Sequence, residues 1–96
     1  MSEQQVEVVD DPERQRYVVR WGGQDAGLAA YRRGPGVVTF THTEVDPSFE
    51  GHGLGSQLAA AALDDARRRG EKVVPVCPFI RGWTDRHPAY ADLVAD

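Results

Sequence analysis

Glu50-Gly51-His52-Gly53-Leu54-Gly55-Ser56 is the stretch of this chain whose residue types and spacing best suit chemistry. It follows a strand-like run and opens a helix-like one. At such a turn successive backbone N–H groups point into the space above the helix, where the helix dipole favours negative charge. Glycines at 51, 53 and 55 let a bulky phosphate approach the backbone without Cβ clashes, so the natural ligand of this nest is a pyrophosphate. A nucleotide-hydrolysing phosphate loop needs Lys-Ser or Lys-Thr after its last glycine, and Ser56-Gln57 stands there instead. A dinucleotide turn wants G-x-G-x-x-G, and the spacing here is G-x-G-x-G. A pantetheine-pyrophosphate site and a purely structural turn both remain.

The surrounding elements must position that turn. Val6 to Val9 reads as a brief strand, and Tyr17 to Trp21 as a second that stops at Gly22-Gly23. Ala26 to Arg32 returns as its hairpin partner, and Val37 to Val45 follows Gly34-Pro35-Gly36 as the next antiparallel strand. Strict alternation along it puts His42 and Glu44 side by side on the face that carries Val38 and Phe40, which makes both candidate bases. From Leu54 the apolar spacing is helical, Arg67 to Arg69 suits the negative end of the helix, and Gly70 supplies the C-terminal cap. Lys72 to Phe79 reads as a strand with irregularities at Pro75 and Pro78, parallel to the 37–45 strand across the helical crossover. Gly82 breaks the chain, and a closing helix runs from Trp83 or Thr84 to Val94, with Thr84 or Asp85 as its N-cap.

Length and composition bound the rest. With 96 residues the chain is expected to form one domain over 1–96, with a disordered start over 1–5. A net charge of -4 argues against a general nucleic-acid binder, which needs a positive stripe against phosphates. One cysteine leaves no intramolecular disulfide and no multi-cysteine metal site, so no metal is expected and the cytoplasm is the default location. No apolar run reaches the roughly 20 residues of a membrane span.

The run E-V-D-P-x-x-x-G-x-G-x-G-S-x-L, from Glu44 to Leu58, resembles the acetyl-CoA-binding motif of the GNAT N-acetyltransferase superfamily. One departure is plain: Glu50 stands where the superfamily usually has Arg or Gln. With His42-Thr43-Glu44-Val45, Val74 to Phe79 and Arg86-His87-Pro88-x-Tyr90, the chain is similar to its very small single-domain members from Tyr17 to Val94. The resemblance implies a minimal α/β fold. Antiparallel strands lead into a β-α-β crossover with a splayed parallel strand pair and a C-terminal helix, and the substrate side of the cleft is open.

It also implies roles. Val45 would face pantetheine, and Gly51, His52, Gly53, Leu54, Gly55 and Ser56 would hold the pyrophosphate of acetyl-CoA. Cys77, on the second splayed strand, becomes a candidate for taking the acetyl group or donating a proton. Tyr90 matches the place of the tyrosine that protonates the departing thiolate. By their own chemistry, apart from the resemblance, His42 and Glu44 are the candidate bases, Arg81 and Arg86 either offer positive charge to the phosphates or cover the surface, and His87 before Pro88 fixes the loop or the start of the last helix. The implied reaction is acetyl transfer to a primary amine, a protein lysine or a small amine. The alternative is a CoA-binding module without efficient catalysis.

Overall fold

The computed structural model of the chain describes residues 5–95, and everything below concerns these residues. The expected disordered start falls outside them for residues 1–4. Gln5 lies within them, and its carbonyl accepts a 2.9 Å hydrogen bond from the Gly22 N–H.

Runs of β-branched and aromatic residues build an antiparallel meander of β1 (Val6–Asp11), β2 (Arg16–Trp21), β3 (Gln24–Gly34) and β4 (Val37–Val45). The β2–β3 hairpin turns on Gly22 and Gly23, both at positive φ, which a two-residue turn needs at its centre. After β4 come a 3₁₀ turn (Pro47–Phe49), helix α1 (Leu54–Arg68) and strand β5 (Lys72–Pro75), which pairs parallel with β4 from Val37↔Lys72 to Phe40↔Pro75. The sheet order is β1-β2-β3-β4-β5. Gly70, at φ 71°, ends the crossover helix as its sequence position requires, and the Glu71 N–H reaches back to the Ala66 carbonyl at 2.9 Å.

The expectations for two stretches are corrected here, the segment from Lys72 onward and strand β4. β5 stops at Pro75, and helix α2 runs from Pro78 to Arg86 with Cys77 at its N-cap, so Cys77 does not lie on a strand. Pro78 sits at the start of this helix, where a missing N–H costs nothing and the fixed φ suits the helical path. Gly82 is inside α2 and does not break the chain there. Thr84 also lies inside α2, bonding its hydroxyl to the Arg81 carbonyl at 2.9 Å, and is no N-cap. The closing helix is a separate 3₁₀ segment, Pro88–Leu93, after which Val94 bridges Val73 on the outer side of β5.

The other correction concerns β4. Ala30 is paired with His42 and Tyr31 with Phe40, which leaves Thr41 as an extra residue on β4. A bulge of this kind reverses the alternation beyond it. Val38 and Phe40 point into the core at 0 % exposure, whereas His42 and Glu44 point out of the opposite face and are exposed. Thr43 and Val45 take over the helix-side direction.

The core therefore lies on one side of the sheet. Tyr17, Val19, Ala29, Tyr31, Val38 and Phe40 meet Leu58, Ala62 and Leu63 of α1 and Ile80 and Trp83 of α2 in a single apolar cluster. Val9, Val18 and Leu28 point the other way and lie outside that cluster. No described helix is long and apolar enough to cross a membrane, and no group of three His, Cys, Asp or Glu among the described residues could hold a metal.

Candidate functional site

The glycine turn is held on one side by stacking and on the other by a hydrogen bond. His52 packs edge-on against Trp21 with ring centroids 3.9 Å apart, and the Trp83 indole N–H donates to Ser56 Oγ at 2.9 Å. Gly51 and Gly53 adopt φ of 88° and 71°, which side chains with a Cβ rarely tolerate. Gly53 is the N-cap of α1, makes no side-chain capping bond, and no acidic residue follows in the first turn. The N–H groups of Leu54, Gly55 and Ser56 thus have no intrahelical partner, and no acidic side chain within the first turn of the helix offsets its positive end.

These groups open onto a cleft of about 480 Å³ whose walls include Val45, Gly53, Gly55, Phe79, Arg86 and His87. Phe79 lies against the turn: a Cβ on Gly55 would sit 3.0 Å from its ring. The cleft also holds opposing charges, Glu50 on the turn and Arg86 at the end of α2, and neither is in an ion pair among the described residues. His87 stacks on Trp83 at 3.8 Å, with Nδ1 2.7 Å from the Trp83 carbonyl, so the proton belongs on Nδ1 and Nε2 is left free.

Beyond Phe40↔Pro75 the outer edge of β4 loses its partner strand, because the chain turns at Cys77 into α2. The last backbone tie across this gap is the Cys77 N–H to the Phe40 carbonyl, at 2.9 Å. Past it, Thr41 to Val45 presents a free strand edge that leads toward the glycine turn. Cys77, a buried residue at 2 % exposure, stands at the head of that gap, its thiol donating to Thr43 Oγ1 at 3.2 Å.

The candidate bases lie on the other face of the same strand. His42 Nε2 and Glu44 Oε2 are 3.7 Å apart, and both side chains are largely exposed. Tyr90 is elsewhere. It sits in the 3₁₀ segment, bonds its hydroxyl to Asp64 of α1 at 2.8 Å and does not line the cleft, and that bond raises its pKa above the usual tyrosine range.

Several residues of this region carry no signal in the sequence. Phe79 and Trp83 read as ordinary apolar residues until α2 brings them to the turn. Gly27 is another. A Cβ there would come within 2.7 Å of the Glu44 carbonyl, so glycine is what lets β3 approach β4 beside Glu44. A lone glycine inside a strand is the one hint that was available.

With this geometry in view, the likeness to known proteins is informative. Residues 16–93 match the family described as GCN5-related N-acetyl-transferase. The chain is 31 % identical over 85 residues to Protein NATD1 of Gallus gallus, covering 86 % of this chain and 77 % of that protein. The Homo sapiens protein of the same name is also 31 % identical over 85 residues, covering 86 % and 75 %. The solution structure of a GCN5-like putative N-acetyltransferase from Staphylococcus aureus superposes with a TM-score of 0.70 at 20 % identity, covering 99 % of this chain and 91 % of that one. The chain belongs to the GCN5-related N-acetyltransferase family, whose reaction is acetyl transfer from acetyl-CoA.

Proposed function

We propose that this protein transfers acetyl from acetyl-CoA to a primary amine. The observation that carries the reading is the uncapped start of α1 at Gly53, which opens on a cleft continuous with the unpaired edge of β4. In this reading the N–H groups of Leu54, Gly55 and Ser56 bind the pyrophosphate, with Gly51 and His52 shaping the turn and Arg86 offsetting Glu50. Pantetheine lies along the free edge of β4 and bonds backbone groups up to Val45, in place of the missing strand partner. That places the thioester near the bulge, where Cys77 stands.

Glu44, with His42 beside it, takes the proton from the incoming ammonium, directly or through water. The freed nitrogen lone pair attacks the thioester carbon, the C–N bond forms, and the C–S bond breaks. The departing thiolate takes a proton from the Cys77 thiol, and the second proton that the nitrogen sheds as it becomes an amide passes through water to restore that thiol. A second reading, a CoA-binding module without efficient turnover, is favoured by one placement: Tyr90, the expected proton donor, faces Asp64 and not the cleft.

The test is calorimetric titration of acetyl-CoA into the protein and into Gly53→Glu, which puts charge and bulk into the nest at a positive-φ position. Affinity is expected to fall more than about 100-fold in a variant that still folds, since both the anion nest and the backbone shape are lost. Unaltered binding would overturn the assignment of the turn. Binding without thiol release in the presence of amines would select the module over the enzyme.

A further inference from the structure

The face of the sheet that carries no helix has a groove of about 340 Å³, and it meets the cofactor cleft at Val45, which lines both. Its floor follows from the pairing. Arg16, Ala30 and His42 stand opposite one another across β2, β3 and β4, and so do Val18, Leu28 and Glu44. Residues directly opposed in antiparallel strands point to the same face. The groove runs as a trough from Arg16 on β2 over Val18 and Leu28 to Glu44 on β4, two strand spacings across the sheet, about 10 Å.

The charges along this trough are not equally available. Asp25 is paired with Arg20 at 2.9 Å, and Asp46 accepts the Ser48 N–H at 2.8 Å as the cap of the following turn. Asp11, across from Arg16 on β1, is paired with Arg14 at 3.3 Å. Arg16 forms no ion pair among the described residues, and its Nε is enclosed with no hydrogen-bond acceptor in reach. The groove thus has a cation without a partner at one end, an apolar floor of Val18 and Leu28, and Glu44 at the other end, with His42 outside the lining but 3.7 Å from Glu44.

We infer that this groove is the acceptor site and that it selects amines which also carry an anionic group, a carboxylate or a phosphate. The inference rests on the acetyl-transfer reading above. The ammonium lies at Glu44 and His42, beside the bulge where the thioester arrives, and the anion lies on the Arg16 guanidinium. Glu44 repels the anion, which fixes the polarity of the bound molecule. An acceptor with two amines leaves Arg16 facing a second cation and is disfavoured.

A matched set of amines of similar length tests this: ε-aminocaproate, an aminoalkyl phosphate, hexylamine and cadaverine, each followed by CoA release and by amide NMR titration. The two anionic amines are expected to exceed hexylamine in kcat/KM by about 10-fold, the worth of one charge-assisted contact. Whichever of them is preferred identifies the anion. In Arg16→Gln the ratio falls toward one, while Arg16→Lys keeps part of it. Cadaverine as the best substrate, or a ratio that Arg16→Gln does not change, would overturn the inference.

The NMR readout needs no turnover. ε-Aminocaproate should shift the amides of Arg16, Leu28 and Glu44 in the protein and not in Arg16→Gln. If acetyl-CoA shifts Gly53 but no amine shifts those three, the acceptor assignment fails alone. If acetyl-CoA does not shift Gly53, the failure lies with the acetyl-transfer reading.

Discussion

The two faces of the sheet are built to opposite specifications. On the helix side the polar groups are locked together where α1 ends. Arg33 stacks over Tyr31 at 4.5 Å, donates to the Tyr17 hydroxyl at 2.7 Å and to Glu71 at 2.7 Å, and Tyr17 donates on to Asp65 at 2.5 Å. Tyr31 does the same to Asp10, and burial together with that bond pushes its pKa up to about 12. On the open side His42 and Glu44 sit in solvent and Arg16 has no ionic partner among the described residues. The difference separates stability from reactivity: one face holds the sheet to its helices, and the other is left with groups free to meet a substrate.

This contrast can be broken by substitution, and the largest effect belongs to the packed face. Leu58, at 0 % exposure, should cost about 2–5 kcal/mol when changed to Ala, read as a fall in melting temperature. Leu28→Ala on the open face should cost under about 1 kcal/mol in the same measurement and instead raise the KM for the amine. Equal losses at the two sites would erase the distinction.

A smaller effect is expected from Asp65→Asn, about 1–3 kcal/mol, because the Arg69 pair at 2.8 Å loses its charge. It carries a pH signature. Burial alone would raise the Asp65 pKa, but the bonds from Tyr17 and Arg69 outweigh it and hold the carboxyl below its ordinary value. A folded-state pKa below the unfolded one contributes stability that is present above about pH 4 and lost as pH falls through the folded value. Denaturant titrations should therefore show the native protein losing stability below about pH 4, and Asp65→Asn losing less over the same interval.

The least change in stability should come from Glu44→Gln, within about 0.5 kcal/mol, since its side chain is exposed. Its effect should appear in turnover, as a loss of about 100-fold in kcat/KM at neutral pH that narrows as pH rises and the amine deprotonates unaided. A Glu44→Gln variant with full activity would move the base elsewhere in the groove.

How much of this was readable beforehand differs between the two halves of the site. The nest was readable because its chemistry is local: Gly51, Gly53 and the start of α1 are adjacent in sequence, and positive φ with free N–H groups follows from the chain itself. The opposite wall was not. Phe79 and Trp83 reach the turn only because α2 begins at Pro78, ahead of Gly82, whereas Arg86, offered from the sequence as charge for the phosphates, does line the cleft.

By itself the sequence determined the order of elements as far as β5, the hairpin at Gly22-Gly23, the glycine turn and the Gly70 stop, since each depends on backbone preferences within a few residues. Only the tertiary structure decided which way His42 and Glu44 point. One extra residue at Thr41, set by pairing with a strand about ten residues away, turns them from the core onto the open face. Alternation along a strand is a local rule, but the register that a bulge shifts belongs to two strands at once.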